Sequence, residues 1–419
     1  VTEEQQITLD ADQQRAVELF CDATFGIITG GPGCGKTTIL KQGLQAARER
    51  AQQNSKPWPN VALAAPTGKA ACRLRDATDH QAHTLHRLLG FGGGESFATR
   101  PLDGIDHIVV DEASMVDTPL LAALVNAMDP RYQRLTLVGD ANQLPSVGPG
   151  KVLADLLDSG RVPTVELKTL HRAAQQSWVC RNAPRILAGE LDAIDRTAPD
   201  FRFVRTEAGK LISTLLDVFE DELNGLSEIL GYDASQSELF DNSQIIVPQR
   251  VGTIGADALN IAIQNAVQGE AAVKRGGWRV GETNNFLDGD KIIQTKNDYT
   301  LGVMNGESGI VKGSTENGKK LLVRVDDRDV IMDRSQSTTW QLGYAISIHK
   351  SQGSQWPLVI VVCHSAQSRM LARRLFYTAV TRASKRVVII GDDTGFERAV
   401  KNTQDIERKT QLGRLLETV

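Results

Sequence analysis

The segment Gly30-Gly31-Pro32-Gly33-Cys34-Gly35-Lys36-Thr37 constrains this chain more than any other. It follows the apolar run Phe25–Thr29 and precedes a helical stretch that begins near Thr37. A buried strand that ends in a glycine turn and passes straight into a helix is a unit of a parallel α/β sheet. Glycines let backbone N–H groups curl around phosphate oxygens, and the helix N-terminus adds positive potential. The G-x-x-x-x-G-K-[ST] spacing makes Gly31, Gly33, Cys34, Gly35, Lys36, Thr37 and Thr38 the cradle. Lys36 would reach the β- and γ-phosphates, and the Thr37 hydroxyl would ligate Mg²⁺.

Further compact apolar runs at Val61–Ala65, Ile108–Val110 and Leu135–Val138 each stop at polar or Gly-rich loops, as buried parallel strands do. A second set, Ile245–Val247, Leu358–Val362 and Val387–Ile390, predicts a second parallel-sheet domain. Between the sets, Leu211, Ile212, Leu215, Leu216, Phe219, Leu223, Leu226 and Leu230 recur at helical spacing, with Glu220-Asp221-Glu222 expected on the solvent side. From about Asp290 to Trp340 the texture turns β-rich: Lys320–Val325 and Val330–Met332 flank an Asp-rich turn, and Asn317-Gly318 is a hairpin signal. A small inserted β-barrel follows. Gly92-Gly93-Gly94, bracketed by Phe91 and Phe97, marks a smaller insertion in the first domain.

Length and charge limit the function classes. At 419 residues the chain has room for two or three domains. Forty-seven Lys plus Arg against 51 Asp plus Glu leave a net charge of −4, so a polyanion site must be a local groove rather than a basic coat. The five cysteines, Cys21, Cys34, Cys72, Cys180 and Cys363, show no CxxC or Cys/His spacing, which argues against structural zinc and a disulfide framework. Reduced thiols suit a cytoplasmic setting. No apolar run reaches the ~18–20 residues of a membrane span, so no membrane partner is expected.

Two more strand ends carry chemistry. In Ile108-Val109-Val110-Asp111-Glu112-Ala113-Ser114, Asp111 is placed to hold Mg²⁺ beside the phosphate loop, and Glu112 to orient and deprotonate an attacking water. In Gly139-Asp140-Ala141-Asn142-Gln143, the Gln143 amide reads either as a γ-phosphate and water sensor or as a helix cap.

The ordered series extends these elements. It comprises Leu9-Asp10-Ala11-Asp12-Gln13, the phosphate loop, Ala65-Pro66-Thr67-Gly68-Lys69-Ala70, Thr84-Leu85-His86-Arg87, and the two segments just described. Leu170-His171-Arg172, Val247-Pro248-Gln249-Arg250, Gly289-Asp290, Ile348-His349-Lys350-Ser351-Gln352-Gly353 and Tyr377-Thr378-Ala379-Val380-Thr381-Arg382-Ala383 follow. From residue 9 to about 392, this resembles the RecD-like and Dda-like branch of the superfamily 1 helicases.

The resemblance implies an α/β chain of two RecA-like P-loop domains with parallel sheets. The first covers 1–185, with a small hairpin insertion at about 90–104. The second covers 186–288 and 341–419, with an SH3-like β-barrel inserted at 289–340. It implies ATP and Mg²⁺ in the inter-domain cleft and movement 5′ to 3′ on single-stranded DNA, with tailed duplex DNA as the substrate to unwind. Gln13 would read adenine, Gly353 would line the nucleotide, and Arg172 and Arg382 would bridge onto the γ-phosphate as bidentate forks. Pro66, Thr67, Lys69, Thr84 and His86 would hold the sugar–phosphate track, with His349, Lys350 and Ser351 doing so in the second domain.

Stacking platforms are few, since aromatics make up 5% of the chain; Trp356, Phe91 and Phe97 are the candidates. His83 and His86 read also as core or capping histidines, and both phenylalanines as core. Gln355 stands where many relatives carry Glu. A bacterial or phage-infected cytoplasm and a monomer are expected. RNA-directed or protein-displacing movement, and a non-catalytic binding subunit, are the competing readings.

Overall fold

The computed structural model describes residues 9–91, 100–170, 172–280, 284–298, 300–315, 318–326, 328–404, 408 and 410–417. The expected first-domain insertion, with Gly92–Gly94 and Phe97, lies outside them, as does Asn317.

Six strands of the N-terminal part pair side by side in parallel: β1 (Phe25–Gly30), β2 (Val61–Ala65), β3 (Ala82–Thr84), β4 (His107–Val110), β5 (Arg134–Gly139) and β6 (Thr164–Leu167). Their order across the sheet is β3-β2-β4-β5-β1-β6. Alternate residues serve opposite faces, as a doubly covered sheet requires. Ile27, Ile108, Val110, Leu135 and Leu137 enter one core, while Ile28, Val109 and Val138 enter another. Helices α1 (Ala11–Asp22) and α2 (Lys36–Gln53) supply Ala16, Phe20, Ile39, Leu40 and Leu44 to the second core. Helix α3 (Gly68–Thr78) follows β2, capped by Thr67, whose hydroxyl accepts from the Ala70 N–H at 3.3 Å.

The chain divides into two compact units, 1–176 with 407–419, and 177–406. The sequence-based border at 185 therefore moves: the helix Trp178–Ala188 packs against Arg373–Val380 and belongs to the second unit. The chain's last residues go the other way. Arg408 Nη1 donates to the carbonyls of Gly148 (2.7 Å) and Gly150 (3.0 Å), the Thr410 hydroxyl donates to Asp155 (2.7 Å), and Leu412 and Leu416 pack on the first unit's core.

In the second unit, β7 (Thr197–Ala198), β8 (Phe201–Arg205) and β9 (Ser243–Val247) join strands from the chain's last third. Between them come the hairpin β10 (Trp278–Val280) and β11 (Asn284–Phe286), then β12 (Lys291–Gln294), β13 (Ser308–Thr315), β14 (Lys320–Val325), β15 (Arg328–Met332) and β16 (Trp340–Leu342). These five form a separate antiparallel sheet, β15-β14-β13-β12-β16, the inserted SH3-like element. Its bulge falls between Val311 and Gly313, where Gly313 takes φ +120°. Strands β17 (Ala345–Ser347), β18 (Trp356–Cys363) and β19 (Ala383–Gly391) complete the main sheet, β17-β9-β18-β19-β8-β7, parallel except for edge strand β7. No helix among the described residues is long and apolar enough to cross a membrane.

A buried polar joint ties the inserted sheet to its host. Asp290 is fully buried and accepts from the Tyr344 hydroxyl (2.9 Å), Gln268 Nε2 (3.0 Å), Gln264 Nε2 (2.5 Å) and the Leu287 N–H (2.8 Å). Next to it, the Lys291 ammonium donates to the Phe240 and Ser243 carbonyls, both at 2.7 Å.

One sequence expectation is overturned. The stretch Leu211–Leu230 is a single helix, but Glu222 does not face solvent; it is 4% exposed, with Arg202 at 3.0 Å and Arg386 at 2.8 Å. Residue 222 lies one turn from both Val218 and Leu226, on the buried face. Its charge is accommodated because β8 and β19 each present an arginine there.

His107 gives a pH-dependent test of the second of the first unit's cores. It is fully buried, its ring lies 4.6 Å from that of Phe20, and Nε2 bonds the Thr136 hydroxyl at 2.8 Å. Burial, and secondarily the Arg134 charge, push its pKa from 6.5 down to about 3. The unfolded chain thus binds a proton that the folded chain refuses, so stability rises with pH through this window and is fully present above about 6.5. Acidification within the window costs up to about 1.4 kcal/mol per pH unit. Replacing His107→Gln removes that slope; urea titrations at several pH values check it, and an unchanged slope refutes the assignment.

Candidate active site

Parallel pairing brings the loops that follow β1, β2, β4 and β5 to one edge of the first sheet, since all four strands end there. The phosphate loop follows β1. Gly33 and Gly35 take φ +75° and +83°, conformations that cost a side-chain-bearing residue dearly, and Gly35 caps α2. A Cβ at Gly30 would stand 2.8 Å from the Leu167 carbonyl oxygen, so only glycine fits against β6. Helix α2 opens with Lys36, Thr37 and Thr38, whose first-turn N–H groups have no partner further back in the helix. The Lys36 ammonium folds back on the loop, donating to the Gly30 (2.7 Å) and Gly31 (2.9 Å) carbonyls. Cys34 is buried, which pushes its thiol up.

Asp111 ends β4. Its carboxylate accepts from the Glu112 N–H at 2.8 Å, and Glu112 itself sits at φ +51°. That left-handed turn aims two successive carboxylates into one pocket, a strained placement of the kind that clusters at functional sites. Burial and the adjacent Glu112 charge push Asp111 up to about 6, against the opposing pull of Lys36 and Arg73. The pocket, about 360 Å³, is lined by Thr37, Ala70, Arg73, Leu74, Asp76, Ala77, Asp111 and Glu112. A hydroxyl and two crowded carboxylates, one resisting ionisation, form an oxygen donor set suited to a hard divalent cation such as Mg²⁺.

After β5, Asp140 is buried and accepts from the Asn142 N–H (2.9 Å) and Gln143 Nε2 (3.4 Å). Gln143 is itself buried and held by this loop. At the start of α1, Gln13 is buried rather than an exposed glutamine, and its Oε1 accepts from the Asp10 N–H at 3.1 Å in a reciprocal cap.

The track candidates of the first unit sit on neighbouring segments. Pro66, Thr67 and Lys69 lead into α3, and Thr84 caps the short helix Leu85–Leu88 by accepting from the Arg87 N–H at 3.2 Å. The His86 ring lies 5.5 Å from Phe91, and burial lowers its pKa; Phe91 packs on the first core. Arg172 begins the helix Arg172–Gln176, and its side chain lies outside the described residues.

In the second unit, His349 is exposed and Lys350 half-buried, with burial and the nearby Arg250 charge lowering the lysine's pKa. Gly353 takes φ +72°. Arg382 is buried and donates to the Thr378 (3.1 Å) and Ser354 (3.1 Å) carbonyls. Two track candidates need correction. Ser351 is fully buried and its hydroxyl donates to the Ile348 carbonyl at 2.7 Å, closing a tight turn. Trp356 is 3% exposed, because it is the first residue of β18 and pairs with Ala383; it is a core side chain and presents no stacking face.

The residue that sequence reasoning missed is Arg73. It faces Glu112 at 4.0 Å across the pocket. The signal was helical: with Thr67 as cap, Ala70, Arg73, Leu74 and Ala77 recur at i, i+3, i+4 and i+7 and form one wall.

Comparison with known proteins identifies the class. Residues 8–206 match the AAA domain model, 259–325 the ATP-dependent RecD-like DNA helicase SH3 domain, and 342–390 the UvrD-like helicase C-terminal domain. The chain is 35% identical to the RecBCD enzyme subunit RecD of Mycolicibacterium smegmatis over 93% of its own length and 72% of that protein's. It is 33% identical to the ATP-dependent RecD2 DNA helicase of Deinococcus radiodurans over 96% of its own length, but spans only 52% of that relative. Solved Pif1 helicases share the fold. One from Bacteroides with ADP-AlF3 and ssDNA has TM-score 0.57 at 20% identity, covering 94% of each chain. One from Candida albicans has TM-score 0.51 at 18%, covering 95% of this chain and 98% of its own. The chain thus carries a P-loop domain of the AAA class, and it belongs to the RecD-like DNA helicase family.

The burial of Trp356 makes a direct prediction. Trp356→Ala lowers unfolding stability by about 3–5 kcal/mol, as large-to-small core changes do. The folded fraction keeps its single-stranded DNA affinity within about twofold. A loss of about 1–3 kcal/mol in DNA binding, the worth of a stacked base, restores the stacking role.

Proposed function

We propose that this chain is an ATP-driven DNA motor that moves 5′ to 3′ on single-stranded DNA and unwinds tailed duplex. The observation that carries the reading is the convergence of Lys36, Thr37, Asp111 and Glu112 at one sheet edge, with Gln143 on the loop after β5. In this reading Lys36 leaves its loop carbonyls for the β- and γ-phosphates, and Thr37 with Asp111 holds Mg²⁺. When bound by Thr37 and Asp111, Mg²⁺ would supply positive charge beside the phosphates. Glu112 takes the proton of the attacking water, and Gln143 senses the γ-phosphate.

Gln13 and Gly353 line the nucleotide. Arg172 and Arg382 complete the site as fingers in a cleft between the two RecA-like domains, a contribution of about 10³–10⁵ in rate for comparable arginines. Arg382 must exchange its Thr378 and Ser354 carbonyls for phosphate oxygens to do so, which couples hydrolysis to movement. Pro66, Thr67, Lys69, Thr84, His86, His349 and Lys350 grip the strand through its sugar–phosphate backbone, so binding is independent of sequence. The relatives named for DNA helicase activity support DNA over RNA, and the 5′ to 3′ polarity rests on the RecD-like resemblance.

Three measurements test the reading. Lys36→Ala abolishes ATP turnover; unchanged turnover overturns the whole assignment. Arg382→Ala retains nucleotide binding while hydrolysis falls by orders of magnitude, and an equal loss of binding gives the residue a binding role only. Duplexes with a 5′ single-stranded tail are unwound and those with a 3′ tail are not; the reverse result refutes the polarity.

A further inference from the structure

Helix α3 joins two parts of the molecule that the proposed function treats separately. Its N-terminal end carries the strand-track candidates Thr67 and Lys69, and one turn on it carries Arg73 into the pocket of Thr37, Asp111 and Glu112. Lys69 and Arg73 are four residues apart and lie on neighbouring turns of one side of the helix, about 6 Å apart along its axis. Among the described residues, Arg73 is the cation paired with Glu112, at 4.0 Å, with side chains 39% and 16% exposed. The contact is long and half-solvated, so it restrains the glutamate weakly and is easily broken. A bidentate, buried pair would instead be permanent.

Glu112 is otherwise placed by its own backbone. Its backbone N–H is committed to Asp111, and its φ of +51° points the side chain into the pocket rather than along the strand. A carboxylate that must meet an attacking water has its orientation set by the guanidinium that faces it. A small displacement or rotation of α3 changes the Arg73–Glu112 distance directly, because Arg73 stands on α3 while Glu112 follows β4 on the facing wall of the pocket.

We propose that Arg73 is a positioning residue that restrains Glu112 when no polynucleotide is bound, and that α3 transmits occupancy of the strand track at Thr67 and Lys69 to that pair. This deepens the proposed function and rests on it: turnover is slow without DNA because the proton acceptor is held, and DNA binding at the helix start releases it. Lysine at 73 keeps the charge and the restraint; glutamine keeps most of the length and loses the charge.

The test is steady-state ATP hydrolysis by the full chain with and without oligothymidylate, with a fluorescent ATP analogue reporting nucleotide affinity and thermal melting reporting fold. Arg73→Gln raises DNA-independent turnover about three- to fivefold, the scale of one half-exposed ion pair. DNA-saturated turnover stays within about twofold, so the stimulation ratio falls, while Arg73→Lys keeps the wild-type ratio. A purely structural role moves both rates together and leaves the ratio alone. Three outcomes overturn the restraint: an unchanged ratio in Arg73→Gln, loss of turnover in both states at unchanged nucleotide affinity, or identical behaviour of the Gln and Lys variants. Absence of ATP turnover in the wild type sinks the functional reading itself and this restraint with it.

Discussion

Two neighbouring carboxylates at the end of one buried strand are the constraint on which the first unit depends. Asp111 and Glu112 cannot both stay charged and close without positive counterparts, and the fold supplies these from two directions. Lys36 comes from the loop after β1 and Arg73 from the helix after β2. Strand β1 lies directly beside β6, and Gly30 packs so tightly on Leu167 of β6 that no side chain fits between them. Register, glycine placement and charge are one arrangement, since shifting any strand by a residue would turn its loop-bearing end away from the pocket.

The second unit solves similar problems by burying its charges and partnering them. Glu222 receives arginines from two strands, Asp290 receives four donors, and Lys291 is held by two carbonyls. Buried charges partnered this completely stabilise little relative to apolar residues, yet removing a single partner is costly. Asp290 and Lys291 therefore fix how the inserted five-stranded sheet joins its host, while Glu222 ties its helix to β8 and β19. Arg382 follows the same rule in its buried state, with its fork engaged by main-chain carbonyls.

The apolar runs read from the sequence become strands with small extensions. Val61–Ala65 and Lys320–Val325 are reproduced residue for residue, and Leu358–Val362 lengthens to Trp356–Cys363. Strands that lack a continuous apolar run were not legible. β6 alternates exposed and buried residues at Thr164–Leu167, and β3 is three half-buried residues, Ala82–Thr84. Motif spacing located the phosphate loop and the Asp111–Glu112 pair, because those positions are dictated by local backbone requirements that a linear pattern records. Arg73 escaped because its meaning depends on which wall of a pocket its helix forms. Glu222 was misread because three adjacent acidic residues suggest a solvated face, and the arginines that receive it lie some twenty residues earlier and more than 160 later.

From residue order alone came the parallel α/β class, the glycine-turn phosphate cradle, the carboxylates beside it and the inserted β-rich element. All are set by interactions within a few residues, where spacing and side-chain type leave little freedom. The tertiary structure decided which polar side chains are withdrawn from solvent and which partner meets each one. Ser351 and Trp356 went to the interior, Glu222 to two arginines, and Arg73 to Glu112. The reason is that burial and charge pairing are properties of segments distant in the chain, and only the packed sheet and its helices bring those segments within a few ångströms.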